Sequence, residues 1–214
     1  MNFRETAFFL LPLLLIPLTL FAVKSFGQVA GDAIIGAAFF IGIAKFAEGN
    51  ERRFMIIMAI FSSIFESINV ASGSYKYLGV VWVPIWVGLG WGLLGLYLFK
   101  QRKLFARLGA RAAYAISCLL YLATWAYSGF SIAGLIPALF AVLGVYVLSL
   151  SAKLPPAFFL AGGFLGVLIE FSGTNLGVWQ YFDEAGVPIA APLSMLGLAY
   201  ASVVAFGLWL GGLD

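Results

Sequence analysis

Long apolar runs separated by short polar breaks set the pattern of this chain. Residues 7–23, 29–47, 54–72 and 80–99 carry few charges, and after the basic stretch from Lys100 to Arg111 the plan returns as 112–128, 131–151, 157–173 and 187–211. As helices, runs of this length cross an apolar core of roughly 30 Å. The pattern predicts an all-α, polytopic membrane helix bundle of eight spans, four in residues 1–104 and four in 105–214. Polar segments at Gly73 to Gly79 and at 174–186 read as breaks, and Val-Pro-Ile restarts a helix after each.

The two halves share more than their plan. Glu66-Ser-Ile-Asn69-Val-Ala-Ser-Gly73-Ser-Tyr75-Lys-Tyr77, then Val83-Pro84-Ile85, returns as Glu170-Phe-Ser-Gly173-Thr-Asn175-Leu-Gly177-Val-Trp179-Gln-Tyr181, then Val187-Pro188-Ile189, always 104 residues later. Seven of 29 positions between Phe61 and Leu89 are identical to their counterparts, where roughly two or three are expected by chance in a chain this apolar. Self-similarity at one fixed offset reads as a tandem duplication. Because each half holds an even number of spans, both copies face the same way, as in a parallel repeat.

Charge sets the orientation. Arg4, Lys45, Arg52, Arg53, Lys100, Arg102, Lys103, Arg107, Arg111 and Lys153 fall on the amino-terminal side, and only Lys24 and Lys76 fall opposite. By the positive-inside rule both termini are cytoplasmic, while Asp32, both motif loops, Asp183 and Glu184 face outward. The expected location is a prokaryotic cytoplasmic membrane. The first span resembles a signal peptide in charge and length, but Lys24 follows without a small-x-small cleavage site. Cleavage there would leave seven spans.

Composition removes the other classes. The chain is 63% hydrophobic and 10% charged, with a mean hydropathy of +1.05, which excludes a soluble domain. The basic balance is explained by loops on one side, so nucleic acid is set aside. One cysteine, Cys118, gives no disulfide framework. With no histidine, the chain has no His-ligated haem, no usual zinc site and no Ser-His or Cys-His nucleophile. No metal or cofactor is expected.

Carboxylates, tyrosines, tryptophans and asparagines remain as candidates. Ser62, Glu66, Asn69 and Gly73 line one helix face, and Gly166, Glu170, Gly173 and Gly177 take the equivalent places. An ionisable residue inside a span faces the bundle interior or a wet cavity, and is protonated, hydrogen-bonded or functional. A plain structural role is open too, with each Glu bonded to Tyr77 or Tyr181 at the bend. Tyr75, Tyr77, Trp179 and Tyr181 keep a fixed spacing from the carboxylates, which an interfacial belt does not require. Trp82, Trp86 and Trp91 taken alone read as such a belt. Asp32 has no acidic counterpart at Ile136 and reads first as a boundary residue, with Lys76 placed to pair with it or with Glu66. Gly88, Gly92 and Gly95 form a small-residue face suited to packing.

The series Glu, Gly, Tyr-x-Tyr, Val-Pro and Trp from Glu66 to Trp91, with Gly-x-Trp-x-Tyr and Gly-Val-Pro from Gly177 to Pro188, resembles the carotenoid biosynthesis membrane proteins, which include bisanhydrobacterioruberin hydratases. The resemblance implies hydration or isomerisation of an isoprenoid double bond. Such chemistry needs a desolvated acid, aromatic faces for a carbocation and a route for water. On that reading Glu66 is the acid with Asn69, Tyr75, Tyr77 and Trp82 lining the cavity, Glu170 with Asn175, Trp179 and Tyr181 positions water or substrate, and Asp32 is a further substrate-binding candidate; the two Glu roles are interchangeable. The implied partners are the lipid bilayer and an isoprenoid or other membrane lipid, with a homo-oligomer left open. Two further readings stand beside it. One is a proton-coupled small-solute transporter using both Glu, and the other is a non-catalytic membrane scaffold.

Overall fold

A computed structural model describes residues 3–77, 79–105, 110–127, 143, 154–183, 185–189, 191 and 193–211. Along them run α1 (Phe3–Phe26), α2 (Gln28–Ile41), a π-helical turn (Gly42–Phe46), α3 (Asn50–Ala71), β1 (Tyr75–Tyr77), α4 (Ile85–Phe105) and α5 (Ala110–Tyr127). They are followed by α6 (Pro156–Asn175), β2 (Trp179–Phe182), β3 (Pro188–Ile189) and α7 (Leu193–Gly211). Of the expected span 131–151 only Leu143 is described; the turn expected to join it to the span before, Ser128 to Ser131, lies outside the described residues, as do Arg107, Lys153 and Glu184.

The chain is a helical membrane protein. Three of the described helices, Gln28–Phe46, Asn50–Ala71 and Pro156–Asn175, are long and apolar enough to cross a membrane. Leu14, Phe21, Phe40, Ile60 and Ile64 are each more than half exposed. Apolar surface on that scale suits lipid as its solvent.

The chain forms two compact units whose membership interleaves along the sequence. One holds Met1–Tyr97, Ser172–Ala191 and Gly207–Asp214; the other holds Leu98–Phe171 and Pro192–Phe206.

In the first unit, Phe39, Ala47, Met55, Ala59 and Leu96 form a buried cluster. Small residues on α4 let it approach α3 closely: a Cβ at Gly92 would lie 2.7 Å from the Met55 carbonyl, and one at Gly88 2.9 Å from that of Ala59. The glycine face read from the sequence is therefore a packing surface. In the second unit the small residues sit on α6. A Cβ at Gly162 would lie 2.7 Å from Ala201 Cβ, and one at Gly166 2.7 Å from Tyr200 Cγ.

The motif stretches fold alike where they leave their helices. At the end of α3, Ser72 N donates to Ile68 O, Gly73 N to Val70 O and Ser74 N to Asn69 O. At the end of α6 the same three bonds recur 104 residues later, from Leu176 to Ser172, Gly177 to Thr174 and Val178 to Gly173. This is the Schellman pattern, which needs a left-handed residue at the turn. Gly73 (φ 82°) and Gly177 (φ 70°) supply it.

The chain then departs from the all-helix expectation. β1, β2 and β3 form an antiparallel three-stranded sheet in that order. Tyr75 pairs with Tyr181, Lys76 with Gln180 and Tyr77 with Trp179. The register is self-complementary: Lys76 meets its own sequence counterpart, and the two flanking pairs exchange under the 104-residue offset, as around a local two-fold axis.

The two Val-Pro-Ile segments differ. The first precedes α4 at Ile85, as expected. The second does not restart a helix, because Pro188 and Ile189 pair with Phe182 and Tyr181. Asp183 makes the reversal: its Oδ1 accepts from Ala185 N at 2.9 Å and Val187 N at 2.8 Å, and Gly186 turns with φ 76°. The last helix begins at Leu193, directly after a further proline, Pro192.

Candidate active site

Alternation along β1 and β2 sends Tyr75, Tyr77, Trp179 and Tyr181 to one buried face and Lys76 to the exposed one. Trp86, from the first turn of α4, completes a five-ring cluster. Ring centroids lie 5.2 Å apart for Tyr75 and Tyr181, 5.9 Å for Tyr77 and Trp179, and 6.4 Å for both Tyr77–Trp86 and Trp86–Trp179. These tilted and edge-on contacts are the ones that the aromatic quadrupole favours. Trp179 also rests on Gly173, where a Cβ would collide with its six-membered ring.

α2 holds Trp86 at both polar ends. Asp32 Oδ1 accepts the Trp86 backbone N–H at 2.8 Å, and Gln28 Oε1 accepts its indole N–H at 2.8 Å. Gln28 and Asp32 are one helical turn apart and face the same way. Between them Gly31 gives the ring room, since a Cβ there would lie 2.7 Å from Trp86 Cδ1. Asp32 thus satisfies an otherwise orphaned N–H at the start of α4.

Glu66 is 8% exposed on α3, and Trp91 Nε1–H donates to its Oε1 at 3.0 Å. Trp91 follows Trp86 by five residues on α4, about 7.5 Å along the axis. The aromatic cluster therefore covers the end of the α3–α4 pair at which Glu66 lies. Ser62, one turn earlier and fully buried, returns its hydroxyl to Met58 O at 2.5 Å.

In the second unit Glu170 is 6% exposed on α6, and Tyr200 OH on α7 donates to its Oε1 at 2.8 Å. Each carboxyl group thus meets an aromatic donor from the next long helix. The donors differ in chemistry and in position: Trp91 corresponds to Met195, and Tyr200 to Leu96, at the 104-residue offset.

Other candidates fall elsewhere. Trp82 is 65% exposed and outside the ring cluster, where Trp86 stands instead. Asn69, half-buried, contributes its carbonyl to the turn, accepting from Ser72 Oγ and Ser74 N. Asn175 is exposed at the last position of α6. Lys76 pairs with neither acid; its Nζ lies 5.1 Å from the Phe182 ring centroid.

Sequence reasoning missed Gln28 and Tyr200 and placed Trp86 and Trp91 in a belt. Gln28 sits at the same helical spacing from Asp32 that marked the Glu66 stripe, whereas nothing local distinguishes Tyr200. Among the described residues, no three His, Cys, Asp or Glu side chains come together as metal ligands. No family model, curated protein or solved structure matches the chain.

Proposed function

We propose that the protein is a multi-pass membrane enzyme that adds a proton to a double bond of an apolar isoprenoid-like lipid, as a hydratase or isomerase. The observation that carries this reading is the pair of buried carboxyl groups, Glu66 and Glu170, each hydrogen-bonded by an aromatic side chain. A desolvated carboxyl group beside a π-face combines an acid with a surface that stabilises a cation.

In hydration, the carboxyl O–H bond breaks and the alkene electron pair forms a C–H bond. Positive charge develops on the neighbouring carbon, next to the indole of Trp91 or the phenol of Tyr200. Water adds its oxygen there, and the proton it loses restores the acid. An isomerase returns a proton from carbon instead. The substrate enters sideways from the bilayer, so the exposed apolar flanks of α2 and α3 need no soluble partner.

The proposal includes eight spans arranged as two parallel four-span repeats, with both termini in the cytoplasm. The repeated helix ends at Gly73 and Gly177 and the self-complementary register around Lys76 and Gln180 support it.

The test is mass spectrometry of isoprenoids from a lycopene-making host expressing the intact protein, Glu66→Gln, Glu170→Gln or an empty vector. A product one water heavier, or an isomer, that disappears in the folded Glu variants is expected. Undiminished product from both variants would overturn the assignment.

A further inference from the structure

We infer that Tyr200 and Glu170 form a proton-transfer pair, whereas Glu66 and Trp91 form a pair that fixes a carboxyl group without exchanging a proton through that contact. The inference deepens the acid-catalysis reading and rests on it for its chemical consequence.

The distinction lies in the donors. A phenol both donates and accepts, whereas an indole N–H only donates. When Glu170 is a carboxylate, Tyr200 OH donates to Oε1 across the 2.8 Å contact; when Oε1 carries a proton, it donates back to the phenol oxygen. Both states keep a hydrogen bond between the same two oxygens, so a proton can move through the contact. A proton on Glu66 Oε1, by contrast, would face the Trp91 N–H and break the 3.0 Å bond.

The surroundings hold the phenol in place. Gly166 lies one turn before Glu170, and a Cβ there would lie 2.7 Å from Tyr200 Cγ and 2.8 Å from Cδ2. The ring rests on the helix backbone, and Tyr200 is only 7% exposed. In the first copy the corresponding positions are Ser62 and Leu96. Leu96 has no hydroxyl, and that of Ser62 is engaged by the Met58 carbonyl. The copies have diverged at the position of the phenol.

In the hydration step Glu170 gives its proton to carbon. The proton lost by the attacking water passes to the Tyr200 oxygen as the phenol proton moves to Glu170 Oε1. Both side chains return to their starting state. In this step Tyr200 is a catalytic residue, because its oxygen takes the proton directly from the attacking water.

Infrared spectroscopy of the full chain in lipid nanodiscs tests the pair without any substrate. Acid-minus-base difference spectra in H2O and D2O are compared for the wild type, Glu170→Gln, Glu66→Gln, Tyr200→Phe and Trp91→Phe, with the helical amide band as the check on folding. A deuterium-sensitive carboxylic-acid C=O band is expected that is lost in Glu170→Gln, moves to higher frequency in Tyr200→Phe, and is unchanged in Glu66→Gln and Trp91→Phe. If Glu170→Gln does not fold, the shift in Tyr200→Phe decides. No such band in the wild type, its survival in folded Glu170→Gln, or an unmoved band in Tyr200→Phe overturns the pair. A Glu170 band with no altered lipid in any host overturns the reaction and leaves the pair standing.

Discussion

Asp32 Oδ1 accepts the backbone N–H of Trp86 at 2.8 Å across 54 residues of sequence. One contact ties α2 to the start of α4 and sets the depth of the tryptophan that closes the aromatic cluster. Asp32→Ala should lower stability by about 1 kcal/mol, and Asp32→Asn by much less, because an amide oxygen caps nearly as well. Thermal unfolding in detergent measures both. Equal losses in the two proteins would show that the charge, not the cap, matters.

Gly173 packs under Trp179, and Gly73 turns the chain with φ 82°. Gly173→Ala forces the ring away and should destabilise by roughly 1–3 kcal/mol, as over-packed sites do. Gly73→Ala should lose about 1–2 kcal/mol through backbone strain alone. Tryptophan fluorescence separates them, since only the first displaces an indole. An unshifted spectrum in Gly173→Ala would contradict the packing.

The Glu66–Trp91 bond has a thermodynamic signature. Trp91→Phe removes the donor and keeps most of the ring, so it should lose roughly 0.5–1.5 kcal/mol, the net worth of one hydrogen bond. Glu66→Gln keeps an acceptor and should lose less. A double-mutant cycle with Trp91→Phe and Glu66→Leu isolates the coupling, and additivity within about 0.5 kcal/mol would deny the bond.

Register and orientation are open to chemistry. Cysteines at Lys76 and Gln180, in a Cys118→Ser background because that thiol is exposed, lie directly opposite each other, with Cβ atoms expected about 5 Å apart. A short bifunctional thiol reagent should join this pair more efficiently than Lys76 with Phe182. A membrane-impermeant maleimide should label Lys76→Cys on intact cells and Arg53→Cys only after permeabilisation. Labelling of both at once would reverse the proposed topology or its sidedness.

Composition and the spacing of apolar runs made the helices and the membrane legible from the sequence, because both depend on properties local to each segment. The repeated glycines after Glu66 and Glu170 were legible as positions, but their left-handed turns (φ 82° and 70°) came only from the structure. The sheet was not legible. Tyr75 and Lys76 form a strand only because Tyr181 and Gln180 come alongside, and strand pairing has no signal within three residues. The identical Val-Pro-Ile segments make the point most directly: one leads into a helix and the other pairs with β2, according to the turn at Asp183 and Gly186. Which tryptophan is buried was likewise a matter of partners. Trp82 and Trp86 are alike in sequence, but only Trp86 meets Gln28, Gly31 and Asp32. The sequence by itself determined the helices, their apolar faces, the repeated helix ends and the two carboxylates. Only the tertiary structure decided which donor each carboxylate meets, because a hydrogen bond between helices depends on how closely their backbones approach, and glycines on different helices set that distance in the two copies.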